Sequence, residues 1–240
     1  MFGCDTIDLR TPREKGCIVY MSKINLKTLA YNSIKSKIIT CEYAPGTFLN
    51  EETLTTELNI SRTPIRDALG RLEQEGLIEI KAKKGITVTP LTMKDINMIY
   101  EIRCMYEPYI LRNYGSALCD EKLTEFYRIF SHSNADSEQF KNNDYYYELD
   151  SAFHQMIIDI CPNIYIRQNY DLIQTQSERF RFMTGNVSNN RLEETFREHN
   201  EIITACLQKD WDTAEDRLLN HLEESKKATF KLAFDSMMGI

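Results

Sequence analysis

No run in these 240 residues approaches the roughly 18 consecutive apolar residues that a membrane-spanning helix needs. The first twenty residues lack the apolar core of a secretory signal, and Asp5, Asp8, Arg10, Arg13, Glu14 and Lys15 interrupt any apolar face there. Glycine and proline are scarce, at nine and six residues, which excludes collagen-like and proline-rich low complexity. The seven cysteines form neither a CxxC pair nor a short disulfide framework, and an odd, scattered set is expected of reduced thiols in a cytosol. Also missing are a glycine-rich phosphate cradle, a nucleophile elbow and an HExxH pair, so enzymatic chemistry has little to stand on. What is present, 42% hydrophobic and 27% charged residues, suffices for one large or two modest domains with buried cores. Residues 1–22 read as a tail, loose or belonging to an over-extended start, with Met21 opening a stretch that suits a domain start.

The net charge of −7 is unevenly spread. Residues 1–90 hold 13 Lys+Arg against 11 Asp+Glu, and residues 91–240 hold 16 against 25. A mildly basic N-terminal part joined to an acidic C-terminal part fits a chain of which one end meets a polyanion.

In residues 23–90, apolar residues recur at helical spacing from Asn25 to Thr40 (Leu26, Leu29, Ile34, Ile38), and Pro45-Gly46 then marks a turn. Asn50 can cap a second helix, Glu51 to Leu58, and Ser61 a third that tolerates Pro64 in its first turn and stops at Gly76. Runs at Leu77–Lys81 and Ile86–Thr89, separated by Ala82-Lys83-Lys84-Gly85, read as a β-hairpin with a basic tip. Three helices and a hairpin make a winged helix-turn-helix whose third helix reads DNA. On that helix Ile65, Ala68, Leu69 and Leu72 share one face, and Arg62, Thr63, Arg66 and Gly70 the other. The two arginines suit guanine edges, whereas Ser61, Thr63, Lys83, Lys84 and Gly85 suit the phosphate backbone. The competing reading is that Arg62 and Arg66 only solubilise the helix, pairing with Asp67 or Glu73.

The string Pro45-Gly46, Leu49-Asn50-Glu51, Leu54, Leu58, Ile60-Ser61-Arg62-Thr63-Pro64-Ile65-Arg66-Asp67-Ala68-Leu69, Arg71-Leu72-Glu73, Glu75-Gly76-Leu77-Ile78 and Gly85 resembles the GntR-family signature. Glu52 departs from members that carry a DNA-contacting arginine near that position, which leaves base reading to Arg62 and Arg66.

Residues 91–235 show almost no strand signal and a succession of helical periods, at 93–114, 121–133, 137–161, 164–184, 191–208 and 211–234, joined by connections short enough for antiparallel neighbours. Pro108 is expected to kink the first of these or mark a boundary. Asp150 and His154 lie one turn apart at the edge of an apolar stripe, and His199 and His221 sit on two later helices beside apolar residues. Taken singly, each reads as an ordinary, partly buried histidine. If the helices face one another, one carboxylate and three imidazoles converge as ligands for a divalent transition metal.

Asp-x3-His on one helix, Glu-His on the next but one and His on the last resemble the FCD domain, the effector-binding domain of the FadR-type branch of GntR regulators. The fold class this implies is mainly α, a winged helix-turn-helix followed by an antiparallel all-α bundle. The resemblance further implies a metal held by Asp150, His154, His199 and His221, with zinc the first choice and nickel or manganese the alternatives. Open coordination sites would face a small organic acid. Arg103 with Glu107 resembles the domain's Arg-x3-Glu opening, with the arginine reaching an effector carboxylate, although a surface pair at i,i+4 explains it equally. Arg179 and Arg181 lie where relatives carry pocket arginines. His132 has no counterpart and reads as a solvated helix end.

The expectation is thus a cytoplasmic homodimer that binds a pseudo-palindromic operator in double-stranded DNA as a repressor or an activator, with no membrane association and no enzymatic activity. Two alternatives stand beside it: the same regulator with a purely structural metal, and a metal-dependent hydrolase or lyase fused to a DNA-binding module. The second lacks a general base, because Glu198 points about 100° away from His199 around their helix.

Overall fold

The computed structural model describes residues 25–82, 84–132, 144–184 and 188–238. The N-terminal tail expected over residues 1–22 and the wing residue Lys83 lie outside them, as do residues 137–143, where the sequence extends a helix. The described residues form two compact units: one comprises those of 25–38 and 45–89, the other those of 39–44 and from Pro90 onward.

The first unit contains α1 (Leu26–Ile39), β1 (Phe48–Leu49), α2 (Glu51–Leu58), α3 (Arg62–Gln74), β2 (Ile78–Lys81) and β3 (Gly85–Val88). The sheet has three antiparallel strands in the order β1-β3-β2, with Phe48 opposite Thr87 and Ile80 opposite Ile86. Two of these strands form the expected hairpin. A strand of two residues shows no alternation, so β1 was not visible in the sequence. Gly46 and Gly76 hold positive φ of 82° and 69°, the left-handed geometry that lets the chain turn after α1 and leave α3.

Asn50 caps α2 by accepting the Glu52 N–H at 2.8 Å. Ser61 occupies the N-cap of α3, but contrary to expectation its hydroxyl makes no capping bond. The third helical residue is Pro64, which has no N–H to offer, and this leaves the exposed Ser61 hydroxyl available to other partners. The core joins Ala30, Ile34 and Ile38 of α1 to Leu54, Ile65, Leu69, Leu72, Leu77 and Val88. Leu26 and Leu29, expected on the buried face of α1, are instead exposed. Tyr31 takes their place: its hydroxyl donates to Glu75 at 2.6 Å, Lys35 donates to both groups, and the Arg71 guanidinium lies 3.7 Å over its ring. This ties α1 to the C-terminal end of α3 and fixes the angle at which α3 is presented.

The second unit is all α among its described residues: α4 (Met93–Tyr114), α5 (Asp120–His132), α6 (Asp144–Asp159), α7 (Ile164–Thr184), α8 (Asn189–Leu207) and α9 (Trp211–Met238). Thr92 and Asp95 form a capping box at the start of α4. That helix continues through Pro108, so no boundary falls there. Buried Ile99 and Tyr100 before the proline and Ile110 and Leu111 after it anchor both halves, and this packing offsets the roughly 3 kcal/mol that an interior proline costs. Helix α9 packs on α4, α7 and α8, while α6 packs on α4 and α7, so α6, α8 and α9 can direct side chains toward one interior. Gly115, after α4, lies so close to the start of α9 that a Cβ would stand 2.6 Å from the Trp211 ring.

Candidate functional site

Helix α6 carries Asp150 and His154 one turn apart, α8 carries His199 and α9 carries His221. All four are buried, and one donor atom from each lies within 4.8 Å of the others. Glu107 on α4 accepts from His154 Nδ1 at 2.6 Å, and Glu198 on α8 accepts from His221 Nδ1 at 2.7 Å. With Nδ1 donating in both rings, the two Nε2 atoms turn inward and meet at 3.3 Å. Two nitrogens each about 2.0–2.1 Å from a tetrahedral ion stand about 3.3–3.4 Å apart. Asp150 Oδ1 is 3.7 Å from His154 Nε2 and 3.6 Å from His199 Nε2. Both ring nitrogens of His199 are buried without a hydrogen-bond partner. Nε2 atoms that meet in a buried space need a shared proton or a cation between them, and one carboxylate with three imidazoles suits a divalent transition ion.

The electrostatics agree with that need. Burial alone would lower the His154 pKa, but the neighbouring Glu107 carboxylate overcomes it and raises the value. Burial and the other rings hold His199 well below the ordinary histidine range, and burial lowers His221. Arg103 and His154 outweigh burial at Glu107 and bring its pKa to about 2. The Arg181 guanidinium, 2.5 Å from Asp150 Oδ2, keeps that carboxylate ionised against burial.

Glu107 and Glu198 are both visible in the sequence, but their roles as acceptors for His154 and His221 are not. Arg103 and Glu107 are a buried pair, bonded Nε to Oε1 at 2.6 Å, and the expectation of a surface pair is corrected: Glu107 also accepts from Tyr170 of α7 and His154 of α6, which closes the site over it. Glu198 does point away from His199, but toward α9, where it meets His221 while Arg191 binds both its oxygens at 2.6 and 2.9 Å. An angle measured around one helix could not reveal an acceptor for the next.

Beside the four donors lies a cavity of about 50 Å³ lined in part by Tyr100, Arg103, Asp150, Arg181 and His221. Arg103 Nη2 is buried without a hydrogen-bond partner, and Arg181 donates to Ser151 Oγ at 2.8 Å as well as pairing with Asp150. Arg179 does not line this cavity: it is buried elsewhere, with Nη1 on Gln176 at 2.8 Å, because two residues along a helix turn a side chain by about 200°. His132 is exposed at the end of α5.

In the first unit Ser61, Arg62, Thr63 and Arg66 are exposed along the start of α3, and Lys84 and Gly85 are exposed at the wing. Arg66 and Gly85 line one open groove of about 630 Å³ together with Asn50, Glu51, Gly70 and Lys81. Neither arginine pairs with Asp67 or Glu73. Arg66 Nε lies 2.9 Å from Glu51, Lys27 takes Asp67, and Glu73 accepts the Ile80 N–H. Arg62 has no ion-pair partner among the described residues.

Comparison with known proteins gives the family. The FCD domain matches residues 98–224, and the gntR family of bacterial regulatory proteins matches residues 26–88. The HTH-type transcriptional repressor RspR of Escherichia coli (strain K12) is 28% identical over 81% of this chain and 84% of its own. The HTH-type transcriptional regulator YdhC of Bacillus subtilis (strain 168) is 26% identical over 80% and 85%. Among solved structures, E. coli McbR/YncC shares the fold with a TM-score of 0.72 at 17% identity, over 87% of this chain and 98% of that one. A winged reading helix followed by a helical domain of this pattern places the chain in the gntR family of bacterial regulatory proteins, as a DNA-binding transcriptional regulator with an FCD domain rather than an enzyme.

Proposed function

We propose that the chain acts as a cytoplasmic homodimeric repressor in which the winged-helix domain, residues 23–90, binds a pseudo-palindromic operator. The FCD domain, residues 91–235, holds one divalent ion and senses a small organic acid. The observation that carries the reading is the convergence of Asp150, His154, His199 and His221, four buried donors from three helices within 4.8 Å of one another, close enough to share one ion. Zinc suits the nitrogen-rich set best, with nickel or manganese as alternatives. When bound, the ion offers Lewis-acid attraction to an acid's carboxylate. Arg103, with Nη2 unpartnered at the cavity, supplies a charge-assisted hydrogen bond to the same group, and Arg181 bounds the other side while orienting Asp150.

In the DNA-binding domain, Arg62 and Arg66 read base edges. Ser61, Thr63, Lys83, Lys84 and Gly85 bind phosphate. The Glu51–Arg66 pair is solvent-exposed, a class worth about 0–1 kcal/mol, so giving it up for a guanine contact of about 1–3 kcal/mol is favourable. A second copy is supported by the exposed stripe Met98, Met105 and Tyr109, spaced seven and four residues apart on one face of α4. Repression follows the name of the relative RspR. The acid changes operator affinity only if it favours one arrangement of the two DNA-binding domains over the other.

The narrowness of the cavity favours one second reading, an ion that is structural and takes no acid. Elemental analysis of chain purified without chelator tests the ion itself. About one ion per chain is expected, falling well below that in His199→Ala, because a site short of one donor of four holds metal weakly. Equal content in both proteins refutes the site.

A further inference from the structure

We infer that Glu107 and Glu198 are positioning residues for the ion, each bracing one histidine ligand from outside the cluster. The inference rests on the ion reading above and adds residues to it. His154 Nδ1 donates to Glu107 at 2.6 Å, His221 Nδ1 donates to Glu198 at 2.7 Å, and the Nε2 atoms of the same rings meet at 3.3 Å. A histidine that gives one N–H to a carboxylate has its tautomer and ring plane fixed, and the opposite nitrogen becomes a stronger base toward a metal. Both braces are themselves anchored. Glu107 accepts from Arg103 and Tyr170, and Glu198 is bound through both oxygens by Arg191. His199 supplies the contrast within the same site. Neither of its nitrogens has a partner, and its ring is held by packing between Phe130 and Phe153, with centroids 4.7 and 4.6 Å away. The braces also join the ion to the scaffold: Glu107 reaches it from α4, the helix that follows the DNA-binding unit in the chain, and Glu198 links α8 to α9.

The test uses the full chain with zinc as the probe. Glu198→Ala removes the acceptor, whereas Glu198→Gln keeps one carbonyl acceptor and loses the charge together with one of the two oxygens that Arg191 binds. Zinc affinity, read by competition with a chromophoric chelator, is expected to fall about 10–100-fold in Glu198→Ala, with partial recovery in Glu198→Gln. Ring ¹⁵N spectra of the ion-free protein at a pH where histidines are neutral should show His221 as the Nδ1–H tautomer in wild type and Glu198→Gln. In Glu198→Ala it should not remain so. A residue that only supports the fold would lower the melting temperature and leave both readouts unchanged. Zinc affinity within twofold of wild type in folded Glu198→Ala, or an unaltered His221 tautomer, overturns the inference. Glu107→Ala is the parallel variant for His154; because Glu107 joins three helices and its loss can unfold the bundle, the Glu198 pair decides. Should wild type take no zinc, the ion reading itself falls, and the tautomer spectra alone decide whether the carboxylates orient the rings.

Discussion

Adding zinc to chelator-treated protein should stabilise the helical unit by an amount that can be stated in advance. An ion that binds only the folded chain contributes RT ln(1 + [ion]/Kd), about 2.7 kcal/mol at one hundred times Kd. For a unit of this size each kcal/mol moves the melting temperature by about 2–4 °C, so the shift should be about 5–11 °C. The structure indicates why the gain is available. Without an ion, both nitrogens of His199 are buried without hydrogen-bond partners, a cost of about 1–3 kcal/mol for each unsatisfied group. The first unit contains none of the four donors, so its transition should stay in place. Differential scanning calorimetry of the full chain, with zinc and with EDTA, separates the two transitions. In His199→Ala the shift should vanish. Superimposable curves for wild type in zinc and in EDTA would refute the reasoning.

Other consequences reach the DNA face, the packing and the protons. Arg62→Ala and Arg66→Ala should each lower discrimination between operator and mismatched duplex by about 1–3 kcal/mol, while Lys84→Ala should weaken binding to all sequences and reduce the salt slope by about one; competition titrations at several salt concentrations check both. Gly115→Ala places a Cβ 2.6 Å from the Trp211 ring and should cost about 1–3 kcal/mol in denaturant unfolding, with no loss expected only if α9 shifts freely. His154, although buried, has its pKa raised by Glu107, so in the ion-free fold it keeps a proton above the unfolded value of 6.5. That proton stabilises the ion-free bundle fully below pH 6.5 and the contribution fades as pH rises through the raised folded value. Zinc must expel it, so zinc affinity should rise with pH across the same window; calorimetry in buffers of different ionisation enthalpy should find proton release that falls off as pH rises through the raised value, and no release below pH 6.5 would contradict the assignment.

The helices of the bundle were legible because each buries one face at helical spacing, and their bounds mostly fall within a few residues of expectation. The reading helix was legible for the same reason, its apolar side Ile65, Ala68, Leu69 and Leu72 being buried and its arginine side exposed. Convergence of Asp150 with three histidines followed from the resemblance to the FCD pattern, since spacing on separate helices says nothing of which helices meet. What escaped notice is what depends on neighbours. Glu198 looked misdirected until α9 lay beside it, Arg103 and Glu107 looked like a surface pair until Tyr170 and His154 enclosed them, and Tyr31 displaced Leu26 and Leu29 from the buried side of α1 because Glu75, Lys35 and Arg71 receive its hydroxyl and ring. The two arginines of α7 could not both face one cavity, and only packing decided in favour of Arg181.

The most direct test of a DNA-reading domain governed by an ion-holding sensor is the affinity of the full chain for its selected operator. It is measured at fixed salt with zinc, with zinc plus small mono-, di- and hydroxycarboxylic acids in turn, and with chelator. The account predicts that at least one acid shifts the dissociation constant about tenfold or more, equivalent to about 1.4 kcal/mol of coupling, and that chelator or His199→Ala abolishes the shift. An operator affinity indifferent to ion, acid and chelator alike would contradict it.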